Sequence, residues 1–277
     1  MLQTDPHLEK RVHVAICGDR NVLMPMAVTV ASIALNIEPG KHCTLHLLTP
    51  GFTQKERRRI EAFHAGGADV EINWIDVNDD MLSAVPKLGR YPLASYYRLV
   101  LPELLPDDVQ QVVYFDTDVL VCRSVSELAS VDLKGAIVGA VTANTSPWLA
   151  SSPGLSQWRE LNLDPNLPYF NAGVLLLNIR KWKSENLTGQ VMDFLADQSE
   201  APRFADQDAL NAILCNRWRA LDPAWNVYTT IFEDWGLDHC LLNRSEVDRI
   251  REDPWVIHYT GREKPWRSPD SHPLARS

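Results

Sequence analysis

Apolar and polar positions in this chain switch between two periods. Residues 12–17 (VHVAIC) form a nearly unbroken apolar run, the pattern of a buried strand, and Gly18, Asp19, Arg20 and Asn21 follow as a turn. From about residue 22 to residue 37, Leu23, Met26, Val30, Ile33, Ala34 and Ile37 recur at three- and four-residue steps. That spacing predicts a helix, which Pro39 and Gly40 end. Residues 43–48 read as a second strand. Thr53 caps a helix reaching about His64, Gly66 and Gly67 stop it, and residues 70–77 alternate as a third strand. The βαβαβ opening predicts a parallel sheet with right-handed crossovers, which binds its ligand at the carboxyl ends of the strands.

The later pattern predicts a helix over residues 95–105 carrying Arg98, and strands over 136–142 and 170–178. Helices are expected over 185–197 and from 206 to about 214, and a last short strand over 254–259. Residues 145–168, rich in Ser, Pro and Asn, read as loops and short helices. Residues 222–250 lose clear periodicity, and Trp225, Trp235 and Trp255 suggest an irregular packed region. No repeat, low-complexity stretch or linker divides the chain. The expectation is one α/β domain over residues 1–277 with a mixed, mostly parallel central sheet flanked by helices. Within it, residues 12–120 would form a nucleotide-binding half, 121–266 a donor-sugar and acceptor half, and 267–277 a tail.

The most informative segment is apolar and ends in two acids: Val112, Val113, Tyr114 and Phe115, then Asp116, Thr117 and Asp118, then Val119, Leu120 and Val121. Two carboxylates at a strand end oppose folding unless a cation or a set of hydrogen bonds neutralises them. Oxygen ligands at this spacing suit Mg²⁺ or Mn²⁺, ions that carry nucleotide phosphates. Asp19 and Asn21 fall at another strand end of the same predicted sheet.

Composition narrows the field. Over 277 residues, 45% are apolar, enough for a sizeable core, and the formal net charge of −9 argues against a nucleic-acid binder. An anionic substrate is still compatible, since a metal and a few cations set the field inside a cleft. The N-terminal residues lack the apolar stretch of a signal peptide, and the most apolar helical stretch, 27–35, is too short to span a bilayer. Cys17, Cys43, Cys122, Cys215 and Cys240 form no CxxC pair, which reads as reduced thiols in the cytoplasm rather than a disulfide framework or a structural zinc site.

Four blocks stand out together: CGDRN (17–21), FDTD (115–118), FNAGVLLLN with DQDALN (170–178 and 206–211), and HYTGREKPW (258–266). Their order and content over roughly residues 12–266 resemble glycosyltransferase family 8, which includes bacterial lipopolysaccharide α-galactosyl- and α-glucosyltransferases and the self-glucosylating glycogenins. The resemblance implies a nucleotide-sugar-binding fold of the GT-A type, a UDP-hexose donor, Mn²⁺ (with Mg²⁺ as an alternative) and retention of anomeric configuration. It implies metal ligation by Asp116, Asp118 and His258. Gly261 and Lys264 would hold the diphosphate. Cys17, Gly18, Asp19 and Asn21 would line the uracil and ribose end, and Thr117 and Gly173 the donor pocket. Arg98 and Asn171 would contact donor sugar and phosphate, Asp206 the sugar hydroxyls, and Gln207 the β-face of the anomeric carbon. Lys264, Asp206 and Gln207 are then the catalytic candidates.

The chemistry has its own logic. Breaking a glycosyl–phosphate bond leaves positive charge on the sugar and negative charge on UDP, which a metal and Lys264 would stabilise. A retaining enzyme either forms a covalent glycosyl intermediate, as carboxylate glycosidases do, or substitutes on the face the leaving group departs from. An amide is a poor nucleophile, so Gln207 favours same-face substitution. The chain departs from the family where many members carry an aspartate after the strand ending near Val141. Here Thr142, Ala143 and Asn144 stand, with Ala143 at the matched position, so a donor-sugar contact is either missing or supplied by Asn144. Some bacterial members also continue into a basic, aromatic membrane-docking tail. This chain ends at Ser277 with Arg262, Arg267 and Arg276, so weak or no membrane association is expected.

Each residue also has a plainer reading. Asp19 and Asp206 could be helix caps, Arg98 a surface partner of Glu103, and Lys264 a solvated lysine before Pro265. Residues 174–177 are core in any reading. Trp148 and Trp225 lie where they could stack an acceptor, and Tyr169, Tyr228 and Tyr259 are available as self-acceptors, but none stands in a recognisable acceptor loop. The expected acceptor is therefore an external glycan, glycolipid or glycoprotein, and a homodimer is compatible with the sequence. Two other classes compete with this reading. A strand followed by DTDVL also resembles the haloacid-dehalogenase phosphatase opening, but that fold wants the motif on its first strand, with a later lysine and paired aspartates. A non-catalytic nucleotide-sugar-binding module is opposed by the presence of both aspartates, His258 and Lys264.

Overall fold

The N-terminal apolar runs become three parallel strands, β1 (Arg11–Cys17), β2 (His42–Leu48) and β3 (Val70–Ile75), joined by helices α1 (Leu23–Asn36) and α2 (Gln54–His64). The computed structural model describes residues 11–64, 69–83, 85, 92–197, 203–233, 241–261, 264–267 and 274. α1 follows a 3-10 turn, Arg20–Val22, which Asp19 caps by accepting the Asn21 N–H. β3 stops at Ile75, two residues short of the expected end, ahead of the 3-10 turn Asp79–Leu82 that Asn78 caps.

A second set of strands extends the sheet from β1. After α3 (Tyr97–Leu104), β4 (Gln111–Phe115) pairs with β1 in parallel. The short β5 (Val119–Val121) and α4 (Val125–Ala129) precede β6 (Val138–Thr142) and β7 (Phe170–Asn178). β7 lies antiparallel between β4 and β6. After α5 (Ile179–Ser184), α6 (Leu187–Ala196) and α7 (Asp206–Ile213), β8 (Trp218–Ala220) closes the edge parallel to β6. The order β3-β2-β1-β4-β7-β6-β8 makes a seven-stranded sheet in which β7 alone runs against its neighbours.

Strand alternation splits the core into two layers. Val14, Ile16, Val113, Phe115 and Val174 pack with α1 and α4 residues on one face. Ala15, Val112, Tyr114, Leu175 and Leu177 pack with residues of α3, α5, α6 and α7 on the other. On β4 this parity sends Tyr114, and with it Asp116, toward α3.

A small second sheet does the work that the cleft requires. β9 (Val227–Tyr228) and β10 (Val256–His258) combine with β5 in the order β5-β10-β9. β5 and β10 are antiparallel, with His258 opposite Val119. The outer side of β5 is held by polar residues of α1. Thr29 Oγ1 lies 2.8 Å from the Val119 carbonyl, Ser32 Oγ accepts the Val121 N–H at 3.0 Å, and Asn36 Nδ2 donates to the Val121 carbonyl at 3.0 Å. These polar positions in an otherwise apolar helix therefore satisfy a strand edge.

Several sequence expectations need correction. The strand expected over 136–142 begins at Val138, after a turn in which Lys134 and Gly135 take positive φ. The helix expected over 185–197 is α6 (Leu187–Ala196), and a separate helix not expected from the pattern, α5, precedes it, the two divided where Asn186 adopts the left-handed conformation. The last strand is shorter than 254–259 and belongs to the small sheet, not the large one. Residues 222–250 hold β9 and the start of α8 (Arg244–Glu252), whose capping box joins Asn243 and Glu246 reciprocally. Trp235 and Cys240 lie outside the described residues, and the other four cysteines are free. Among the described residues no helix is long and apolar enough to cross a membrane.

Candidate functional site

Asp116 leaves β4 on the α3 side, where Arg98 meets it. Arg98 is buried, donates Nη2 to Asp116 Oδ1 at 2.7 Å and Nη1 to the Ala172 carbonyl, and sets Nε 2.8 Å from Asp206 Oδ2. Its guanidinium lies 4.6 Å from the Tyr114 ring centre, and the Tyr114 hydroxyl also donates to Asp116 Oδ1, at 2.8 Å. The partner of Arg98 is thus not Glu103 but the two site acids, which it holds apart as a shared cation.

Asp118 sits at the head of β5, and the Tyr259 N–H donates to its carbonyl at 2.9 Å, continuing the β5–β10 pairing. The pairing delivers His258. Its Nε2 stands 3.3 Å from Asp118 Oδ1 and 3.8 Å from Asp116 Oδ2. Ligand atoms of Asp116, Asp118 and His258 all fall within 4.8 Å of one another. Lys264 Nζ donates to Asp118 Oδ2 at 2.5 Å and to the Tyr259 carbonyl. Burial opposes charge on Asp118, but His258 and Lys264 together hold its carboxyl well below the usual range.

The residues present fit a divalent cation. Two carboxylates and an imidazole are an oxygen and nitrogen donor set that a divalent metal ion accepts. The room between them depends on Gly173. A Cβ there would lie 2.1 Å from His258 Cε1 and 2.9 Å from Asp116 Oδ2, so only glycine lets imidazole and carboxylate share this space.

Asp206 opens α7 directly after Ala205, whose φ of 51° and ψ of −120° lie outside the regions an L-residue favours. Burial pushes the Asp206 carboxyl up to about 6, against the pull of Arg98. Gln207 is held at both ends. Its Oε1 accepts from Asn171 Nδ2 at 2.9 Å and from the Ala172 N–H at 3.0 Å, and its Nε2 donates to the Tyr169 hydroxyl at 3.0 Å. With two donors on its carbonyl oxygen, this amide is poorly placed to attack carbon.

At the far end Asp19 does cap a turn, accepting from Asn21 N at 2.9 Å and from Asn21 Nδ2 at 3.2 Å, yet both residues also face the cleft. Burial drives the Cys17 thiol far above its ordinary range, so it is a wall and not a nucleophile. Gly261 takes a positive φ of 86°. One cleft of about 970 Å³ is lined by Cys17, Gly18, Asp19, Asn21, Arg98, Asp116, Thr117, Asp118, Asn171, Gly173, Asp206, Gln207, His258, Gly261 and Lys264. All fifteen residues singled out in the sequence meet there.

Other residues of the site were not singled out. Tyr114 and Tyr228 are apolar-run residues by pattern, and Ser146 and Trp266 lie in loops, yet all four line the cleft. Asn226 is fully buried and hydrogen-bonded to both His258 and Asn171. The one sequence signal for it is an amide inside the apolar stretch Ala224–Tyr228 written AWNVY. Ala143 lines the cleft with Thr145 and Ser146, while Asn144 is buried and does not. Trp225 packs edge-on against Trp255 at 5.0 Å, out of reach of an acceptor, whereas Trp148 is 41% exposed. Tyr169 is buried with its hydroxyl held between Gln207 and Asp208, which disqualifies it as a self-acceptor, whereas Tyr228 is 6% exposed but lines the cleft.

The model of glycosyl transferase family 8 matches residues 13–270. General stress protein A of Bacillus subtilis (strain 168) is 28% identical over 265 residues, covering 95% of this chain and 90% of its own length. A lipopolysaccharide 1,3-galactosyltransferase of Salmonella typhimurium is 26% identical over 273 residues, covering 96% and 76%. Among solved structures, the galactosyltransferase LgtC in complex with donor and acceptor sugar analogs superposes with a TM-score of 0.71 at 24% identity, over 92% of this chain and 89% of that one. That likeness shows a shared fold.

Proposed function

The chain belongs to glycosyl transferase family 8, and on that premise we propose that it is a Mn²⁺-dependent, retaining hexosyltransferase. It would move glucose or galactose from UDP to an external glycan, glycolipid or glycoprotein. The observation that carries this reading is the convergence of Asp116, Asp118 and His258, with Lys264 on Asp118. Asp116, Asp118 and His258 would hold the ion, which supplies charge neutralisation at the diphosphate when bound. Lys264, released from Asp118 to a phosphate oxygen, would stabilise charge on departing UDP. Asp19 and Asn21 would receive the nucleoside, and Asp206 the sugar hydroxyls.

Retention by same-face substitution suits the amide geometry. Gln207 Oε1 already accepts two hydrogen bonds, and Asp206 is paired with Arg98, so neither is a free nucleophile. The acceptor hydroxyl would attack from the face UDP leaves, and a phosphate oxygen of UDP would take its proton. The four unpaired cysteines support a cytoplasmic setting. The phosphatase alternative loses ground because DTD follows the fourth strand in the chain.

The test is a donor screen with UDP-glucose, UDP-galactose, UDP-GlcNAc and UDP-xylose, with and without Mn²⁺, reading UDP release. UDP release from one of the two hexose donors, dependent on Mn²⁺ and lost in Asp118→Ala, is expected. A binding module releases nothing, and a phosphatase releases phosphate from phosphomonoesters instead.

A further inference from the structure

Six side chains form one hydrogen-bonded chain from the metal-site imidazole to a buried carboxylate. His258 Nδ1 lies 2.9 Å from Asn226 Oδ1, and Asn226 Nδ2 lies 2.8 Å from Asn171 Oδ1. Asn171 Nδ2 reaches Gln207 Oε1 at 2.9 Å, Gln207 Nε2 reaches the Tyr169 hydroxyl at 3.0 Å, and that hydroxyl reaches Asp208 Oδ1 at 2.6 Å.

Two backbone amides set the direction of the whole chain. A backbone N–H only donates, so the Gly173 N–H, 2.9 Å from Asn171, must meet its oxygen, and the Ala172 N–H, 3.0 Å from Gln207, must meet that oxygen. Asn171 Oδ1 then takes its second bond from the amide nitrogen of Asn226. The Asn226 oxygen is left facing His258 Nδ1, which must carry the proton. At the other end the Gln207 amino group donates to Tyr169, so the tyrosine proton turns to Asp208, whose second oxygen accepts the Phe204 N–H at 2.9 Å.

We infer that Asn226 is a positioning residue which fixes His258 as the Nδ1–H tautomer, presenting Nε2 to the metal site, and through Asn171 sets the orientation of the Gln207 amide at the sugar site. The metal half and the sugar half are then coupled through Asn226, a residue that does not itself line the cleft. A metal-bound imidazole needs such a partner on its other nitrogen, and losing one weakens metal binding by about 10- to 100-fold. Asn226 has no exposed surface, so its bonds do not compete with water. The consequence for metal and sugar rests on the function proposed above; the tautomer assignment does not.

The experiment uses ¹⁵N-histidine-labelled full-length protein. Long-range ¹H–¹⁵N spectra report the tautomer of His258, assigned as the resonance lost in His258→Gln. Mn²⁺ affinity is measured by calorimetry and turnover by UDP release. Wild type should show Nδ1–H. Asn226→Ala should lose that tautomer and bind Mn²⁺ about 10- to 100-fold more weakly. Asn226→Asp keeps an acceptor for His258 but no donor for Asn171. It should retain Nδ1–H and bind Mn²⁺ within about threefold of wild type, while kcat falls at least tenfold. An Nε2–H tautomer in wild type, or unchanged tautomer, affinity and kcat in both variants, overturns the inference. If Asn226→Ala fails to fold, the wild-type tautomer and the aspartate variant still decide it. If wild type neither binds Mn²⁺ nor turns over a UDP-sugar, the functional reading fails while the tautomer result stands by itself.

Discussion

Gly173→Ala adds one methyl group where none fits. Built on the β7 backbone, it falls 2.1 Å from His258 Cε1, 2.8 Å from Nδ1 and 2.9 Å from Asp116 Oδ2. Ordinary contact begins at 3.4 Å, so the imidazole must retreat by about 1.3 Å (3.4 − 2.1). It has little room to do so. His258 is 4% exposed, its strand is paired with β5 on one side and β9 on the other, and Nδ1 is tied to Asn226. Metal–ligand distances tolerate only about ±0.2 Å. On the proposed function the displaced imidazole would no longer serve as a ligand, and affinity for Mn²⁺ should fall by more than the roughly 100-fold upper range expected when a ligand merely loses its supporting hydrogen bond. Overpacking itself costs about 1–3 kcal/mol, a melting-point drop of several degrees for a chain of this size. Calorimetric Mn²⁺ titration and thermal melts with and without Mn²⁺ and UDP measure both effects. Circular dichroism confirms that the sheet is intact. A variant that binds Mn²⁺ within threefold of wild type and melts at the same temperature would refute the claim that the glycine holds this space open.

Three other perturbations probe different parts of the argument. Lys264→Ala removes the ammonium on Asp118; UDP release should slow by about 10²–10³-fold, the scale of losing one preorganised oxyanion donor, and an unchanged rate removes the lysine from the mechanism. The Asp206 carboxyl is raised to about 6 from an ordinary 3.8, so between those values the folded state keeps a proton the unfolded chain has released. Its contribution to stability therefore falls as pH rises through that window and is constant above it, by roughly 3 kcal/mol in all. Asp206→Asn should abolish that decline in denaturant melts from pH 4 to 7, and a wild-type-minus-variant difference that is flat with pH sinks the assignment. Asn243→Ala breaks the capping box of α8, far from the chemistry; unfolding free energy should drop by about 1 kcal/mol with kcat unchanged, and a loss of activity at constant stability contradicts the purely structural role.

Much of this protein was readable from residue order alone. Strands β1, β2 and β7 and helix α1 follow from short-range rules. A buried strand needs a continuous apolar run, and a half-covered helix needs apolar residues every three or four positions. Acids at strand ends were legible for a similar reason, since charge at the edge of an apolar run calls for a partner. Where local signals were weak or mixed, the reading failed. The six-residue α5, Ile179–Ser184, was not foreseen ahead of the helix expected over 185–197, because so short a segment shows no period, and the left-handed Asn186 that divides the two is a turn that asparagine tolerates but does not announce. Arg98, on a helix whose neighbours are apolar, could not be told from a surface residue until β4 parity turned Asp116 toward it.

The long-range partnerships had to come from folding. His258 stands 140 positions after Asp118 (258 − 118), and apart from the family resemblance no local pattern around either residue announces their meeting. It arises because β10 finds the free edge of β5, whose other edge α1 has already satisfied with Thr29, Ser32 and Asn36. Asn226 is the clearest case. One amide in an apolar stretch carries no sign of its role, because its partners, His258 and Asn171, are 32 and 55 positions away. Periodicity reports what a residue's own segment buries, whereas a hydrogen-bonded site depends on which segments the sheet brings together.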